Sequence, residues 1–275
     1  MSDTEYVGFL RACLPRFGLR WQGFRQVRGQ VIKRLKRRLR ALHLQDLSAY
    51  TTYLEHHFEE WSIVESFCRI SVSRFFRNRE VFETLRTDVL PRLAQLVRTR
   101  HECVLRCWSA GCASGEEAYS LQMLWRLCLL SQFPDLRLDI VATDVDRHLL
   151  ERARHGWYPQ SSVRELPPEW LAAGFDRLDH GYVVRQAFRT GVWFIEQDIR
   201  QEMPPGRFHL VLCRNLVFTY FLPPVQREIL AHLATHLVPV GMLVVGQHET
   251  LPPDGQPVVA YAAPHGIFQK PVDVL

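Results

Sequence analysis

Residues 106–120 read RCWSAGCASGEEAYS. The apolar stretch from Val104 to Trp108 runs into a loop of small residues and then meets two adjacent acids, Glu116 and Glu117. A small-residue turn between a strand and a helix lets backbone approach a ligand closely, and such turns often hold phosphate. Two carboxylates at the mouth argue against phosphate here, because a desolvated pyrophosphate would be repelled by them. The GxGxxG spacing of dinucleotide sites is also absent. NAD, FAD and ATP are therefore poor ligands for this loop. A ligand with positive charge and no phosphate suits it, and S-adenosylmethionine, with its sulfonium and ammonium, has that chemistry. The plain alternative is a charged first turn that complements the helix dipole.

Outward from this loop, short apolar runs alternate with helical stretches after residue 100. CVLRCW is followed by GEEAYSLQMLWRLCLLS, LRLDIVATD by RHLLERAR, and FHLVLCRN by VQREILAHLATHL and GMLVVGQHE. Strands alternating with helices imply βαβ units and a parallel, doubly wound sheet of the α/β class. Ligands of such sheets sit beyond the carboxyl ends of the strands. Four strand ends carry polar groups: Ser109–Gly111, Thr143–Asp144, Cys213–Asn215 and Gly246–Glu249. Asp144 ends its strand at the place where an acid accepts hydrogen bonds from ribose hydroxyls in dinucleotide folds; its alternative role is to cap the helix that follows Asp146. Between these units, GYVVRQAFRTGVWFIEQ (181–197) alternates and contains turn residues, which predicts a small antiparallel β insert.

The first ~75 residues read as an all-α lobe. Val27, Val31, Leu35, Leu39 and Leu42 recur at spacings of four and three, one face of a helix. Arg28, Lys33, Arg34, Lys36, Arg37, Arg38 and Arg40 fill the other face. Asp46 opens a capped helix, residues 60–70 form another, and Arg79 to Val97 form a long helix bridging the lobes. The predicted domains are residues 1–76 and 77–275.

The chain has 275 residues, enough for one large domain or two small ones. Its net charge of +5 is unevenly placed: Tyr6 to Gln45 holds eleven Lys and Arg and no acid, leaving 23 bases against 29 acids elsewhere. Such a run is a solvated face, a nucleic-acid surface or a dock for an acidic helical partner. The seven cysteines form no CxxC pair and lack zinc-type spacing, so no metal site is expected and buried thiols in a reducing cytoplasm are. No secretory signal and no apolar run long enough to span a membrane are read.

Five segments resemble, in order and spacing, the chemotaxis receptor methyltransferases of the CheR type. They are SVSRFFRN (71–78), CWSAGCASGEEAYSL (107–121), ATDVDRHLLERARHGWY (142–158), LVLCRNLVFTYF (210–221) and GMLVVGQHETL (241–251). The resemblance covers nearly the whole chain. It implies a Rossmann-like S-adenosylmethionine methyltransferase domain and transfer of a methyl group to glutamate carboxylates of chemoreceptors, with S-adenosylhomocysteine as product. It further implies that Ser71, Ser73 and Arg77 reach the cofactor, that Glu117 faces it and that Asp144 holds the ribose. Asp198 and Ile199 would flank the adenine, with Asn215 and Leu216 on another wall. Arg77 and Tyr220 would meet the substrate carboxylate; an ordinary surface arginine and a core aromatic are the alternatives. The basic helix, through Lys33, Lys36, Arg37, Arg38 and Arg40, would dock the receptor's cytoplasmic helices, in preference to nucleic acid. A cytoplasmic monomer is the family-based expectation. A methyltransferase of this fold with another acceptor, or a cofactor-binding signalling module without catalysis, are the rival readings.

This chain departs from the family pattern in places. Ser71 and Ser73 stand where Asn and Thr are usual, the Asn215–Tyr220 interval is one residue longer, and Val240 replaces a Gly. The insert is a few residues short in its first loop, so the receptor-peptide docking that some family members perform there is not expected.

Overall fold

The computed structural model describes residues 2–253 and 257–272; the last residues of the predicted second domain, 273–275, lie outside them. The chain forms two compact units. One comprises residues up to Ser71 together with Thr219–Val225; the other comprises Val72–Phe218 and the chain from Gln226 onward. The division thus falls at Ser71/Val72 instead of after residue 76, and a short distant segment joins the first unit.

The helical unit is built on amphipathic faces. The helix Asp3–Cys13 opens with a capping box in which Ser2 and Glu5 satisfy each other's backbone amides. Asp46 caps the helix Leu47–His56 by accepting from the Ala49 amide. In the basic helix, Arg28–Ala41, Val31, Ile32, Leu35 and Leu39 are buried, the face that the four-and-three spacing predicts. They pack in a core with Tyr6, Leu10, Phe24, Tyr50, Leu54 and Val64. The Thr219–Val225 segment is hydrogen-bonded into this unit: the Leu222 amide donates to the Gly18 carbonyl at 2.8 Å and the Arg20 amide to the Tyr220 carbonyl at 2.8 Å.

Among the described residues the second unit holds ten strands: β1 (Val104–Ala110), β2 (Arg137–Asp144), β3 (Trp157–Tyr158), β4 (Phe175–Leu178), β5 (Gly181–Val184), β6 (Val192–Glu196), β7 (Phe208–Cys213), β8 (Leu237–Val245), β9 (Val259–Ala262) and β10 (Ile267–Gln269). The main sheet has the order β6-β2-β1-β7-β8-β10-β9. Its first five strands are parallel, and β10 is antiparallel to both of its neighbours, β8 and β9. Winding proceeds from β1 through β2 to β6, then resumes on the other side with β7 and β8. The switch point lies between β1 and β7, and in sheets of this kind ligands bind beyond the carboxyl ends of the strands there.

The β insert shares only its strand β5 (Gly181–Val184) with the stretch 181–197 that the sequence pattern marked. A separate antiparallel sheet, order β3-β5-β4, spans residues 157–184. The run VWFIE (192–196) instead forms the edge strand β6, parallel to β2. Its alternation comes from its edge position, where Trp193 is half exposed, and not from antiparallel pairing.

The long helix at residues 79–99 belongs wholly to this unit. It contains a wide turn at Leu85–Val89, in which the Leu90 amide reaches back to the Leu85 carbonyl. Pro91 explains the defect: it has no amide to continue the ladder, and its ring would crowd the carbonyl four residues earlier. Val240 has φ +58°. A β-branched residue is strained in that left-handed region, which gives a physical reason for the glycine usual there.

Candidate cofactor site

The loop after β1 is shaped by backbone that ordinary residues resist. Gly111 and Gly115 have φ of +75° and +88°, and Ala113 has +49°. A Cβ on Gly111 would sit 2.6 Å from Leu216 Cδ2, and its positive φ favours glycine where the loops after β1 and β7 meet. The amides of Gly111 and Cys112 both donate to the Thr143 carbonyl at the end of β2.

Asp144 fastens the same loop. One of its carboxylate oxygens accepts from the Ala113 amide at 2.8 Å and the other from the Asp146 amide at 2.9 Å. The helix from Arg147 is capped by Asp146 and not by Asp144. Burial pushes the Asp144 carboxyl above its ordinary value, against the pull of those amides. The Val145 amide bonds the carboxylate as well, so three amides share its four lone-pair sites and room for a hydroxyl donor remains.

The two acids of the loop play different parts. Glu116 is buried and accepts from the Ser114 hydroxyl at 2.9 Å and from the Ser73 hydroxyl. Burial raises its carboxyl, and these hydroxyls and its own amide only partly offset the effect. Glu117 accepts from the Ser109 hydroxyl at 2.7 Å and from Arg214 Nη1 at 3.0 Å. Pattern reading did not find Arg214; nothing in the spacing links two side chains 97 positions apart. Its other nitrogen, Nη2, donates to the Arg77 carbonyl at 3.0 Å and to Asn78 Oδ1 at 2.8 Å.

The expected residues therefore gather in three groups. Ser73, Arg77 and Glu117 are linked through Glu116 and Arg214. Asp144 stands beside the chain leading to Asp198 and Ile199, because the Gln197 amide donates to its carbonyl; Asp198 is held in a forked ion pair with Arg200, and Ile199 is buried. Leu216 closes over Gly111 and Asn215 lies against Gly246, and the Asn215 amide donates to Glu249 at 2.8 Å, as does that of Gly246 at 2.6 Å. Glu249 is thus a further part of the site, marked in the sequence only by its place beyond β8. Arg77 Nη1 donates to the Val72 carbonyl at 2.8 Å. Ser71 and Tyr220 belong to the helical unit. There the Tyr220 ring lies 5.0 Å from that of Phe24, and the missing side chain of Gly23 makes room for it.

One expected docking residue has a different task. Arg38 forks onto Glu60 at 2.8 and 2.6 Å, and the Tyr50 hydroxyl donates to the same buried carboxylate at 2.7 Å. Arg38 is committed to the interior of the helical unit. Lys33, Lys36, Arg37 and Arg40 are exposed.

Carboxylates at the switch point, a close-packed glycine loop and an acid at the end of β2 fit a cationic, hydroxyl-bearing cofactor. This fold and this donor set define an S-adenosylmethionine-dependent methyltransferase. Residues 71–265 match the CheR methyltransferase, SAM binding domain. The chain is 35% identical over 257 residues to a chemotaxis protein methyltransferase of Salmonella typhimurium, covering 90% of this chain and 84% of that one. It is 27% identical to a chemotaxis protein methyltransferase of Borreliella burgdorferi, covering 80% of each. It is also 30% identical over 243 residues to an uncharacterized 104.1 kDa protein of Rhodobacter capsulatus, of which it spans 25%. The chain belongs to the CheR methyltransferase family. No helix among the described residues is long and apolar enough to cross a membrane.

Proposed function

We propose that this protein transfers methyl groups from S-adenosylmethionine to glutamate carboxylates on the cytoplasmic helices of chemoreceptors. The observation that carries this reading is the hydrogen-bonded link from the acid-lined crevice, through Arg214, to the segment bearing Arg77. It ties a place for a cation to a place for an anion, as carboxyl methylation requires.

When bound, S-adenosylmethionine supplies a methyl group on a sulfonium, open to displacement by a carboxylate oxygen. In this reading Asp144 accepts from the ribose hydroxyls, Glu117 meets the ammonium, and Asp198, Ile199, Asn215 and Leu216 enclose the base. Ser71 and Ser73 contribute hydroxyls. A glutamate carboxyl has an ordinary value of about 4.3 and is already ionised at neutral pH, so no general base is needed. The protein's work is alignment, which can supply roughly 7–11 kcal/mol of the barrier. Arg77 offers a planar fork to the two acceptor oxygens, and Tyr220 offers a phenol. The clamp must be moderate, because the acceptor loses its charge as the ester forms.

The test is transfer of labelled methyl from S-adenosylmethionine to membranes containing the organism's chemoreceptors. Label released as methanol by mild alkali, and absent with Asp144→Ala, is expected. Cofactor binding without such label would overturn the receptor reading. The exposed basic face supplies a second measurement. Reversing charge at Arg37 and Arg40 should raise KM for receptor about tenfold, with cofactor affinity unchanged; an unchanged KM would remove docking from this helix.

A further inference from the structure

Arg214 follows β7 directly and its side chain is 3% exposed. A buried guanidinium costs stability unless its donors are used, and here the two terminal nitrogens serve three acceptors on two distant segments while Nε has no hydrogen-bond partner among the described residues. Nη1 takes Glu117, and Nη2 takes the carbonyl of Arg77 and the side chain of Asn78. The guanidinium also lies 5.6 Å from the Phe82 ring centre. The segment it holds is strained. Phe76 and Asn78 have φ of +52° and +65°, so Arg77 sits between two left-handed residues that are not glycine. That kink has further fastenings: the Phe75 amide donates to the Ser162 carbonyl at 3.1 Å, the Phe76 amide to the Ser120 hydroxyl at 3.0 Å, and Asn78 Nδ2 to Gln247 Oε1 at 3.1 Å. Arg214 bonds both to this kink and to Glu117.

We infer that Arg214 is the positioning residue of the methyl transfer: it sets the backbone of Arg77, and hence the acceptor clamp, in register with Glu117. The role rests on the proposed function. A lysine at this place keeps the charge but cannot serve three acceptors from a fixed fork.

Arg214→Lys in the full-length protein should lower kcat for receptor methylation roughly 30-fold, while cofactor Kd changes by less than about threefold. Asn78→Gly removes one acceptor, along with the amide that donates to Gln247 Oε1. It keeps the left-handed backbone available and should lower kcat by a smaller factor in the same pattern. A role confined to stability would lower Tm and leave kcat of the folded enzyme unchanged, which would overturn the proposal. If Arg214→Lys does not fold, Asn78→Gly decides by the same split. A wild-type protein that binds cofactor but methylates no receptor would overturn the functional reading, and the Arg214 role with it. A wild type that turns over, beside variants with normal kcat, would overturn the Arg214 role alone.

Discussion

Glu60 in the helical unit and Glu116 in the α/β unit are both buried, with 2% and 1% of their surfaces exposed. Burial pushes each carboxyl upward, yet the outcomes are opposite. At Glu60 the forked Arg38 and the Tyr50 hydroxyl overcome burial and hold the carboxyl below its ordinary value. At Glu116 the hydrogen-bonding partners are neutral, Ser114, Ser73 and its own amide, and the carboxyl stays raised. Asp144, satisfied by backbone amides, is raised as well. Residue type and burial do not separate these sites; a bonded cation does. Glu60, compensated within the fold by Arg38 and Tyr50, is structural. A buried acid left short of positive charge is a standing cost that a cationic ligand can relieve.

The largest test of this contrast is Arg38→Ala. It strands Glu60 and should destabilise the helical unit by about 3–4 kcal/mol, read by denaturant unfolding. Replacing both partners with apolar residues should recover most of that loss. A loss below about 1 kcal/mol would show that the pair is no anchor. Next comes Asp144→Ala, expected to weaken cofactor binding roughly 100-fold by calorimetric titration, through lost ribose acceptors and a loosened loop. Normal affinity would place the ribose elsewhere.

The pH response follows with its sign fixed by the shifts. The Glu60 contribution is complete above its ordinary 4.5 and is lost only as pH falls through the lowered value. Glu116 and Asp144 run the other way. Their raised values let the folded chain take up protons first, so stability rises as pH falls from those values toward 4.5 and 3.8. Over the same range the charge that favours a cationic ligand disappears. Cofactor affinity should fall as pH drops through those raised values, with the helical unit still folded. Glu116→Gln should flatten part of that slope, and an unchanged slope would exclude Glu116 from it. The smallest effect is Val240→Gly, which relieves a left-handed valine and should raise stability by less than about 1 kcal/mol, seen as a higher Tm. Affinity should not move, which separates strain outside the crevice from charge within it.

Much of this was legible in the sequence. Apolar runs ending in Ser109, Asp144, Cys213 and Gly246 located the parallel strands and the crevice, and Asp46 announced its helix. Periodicity records which way a side chain faces, not what it meets. Arg38 therefore read as one more surface base, although Glu60 lies 22 positions away. Arg214 was hidden in the same manner. The edge strand β6 imitated an antiparallel ribbon because one of its faces is wet. The wide turn before Pro91 is a response to a missing amide, a local cue that the long helical pattern masked.

The short segment Thr219–Val225 has a consequence for synthesis. Its amides and carbonyls complete the helical unit at Gly18 and Arg20, some 200 residues upstream. While the chain is still growing on the ribosome, the amino-terminal helices can form but must wait for most of the protein to be translated before they gain these bonds. A fragment cut at Ser71 would carry the same vacancy permanently. Expression of the amino-terminal lobe alone should therefore give a looser, more protease-sensitive product than the same residues within the intact chain.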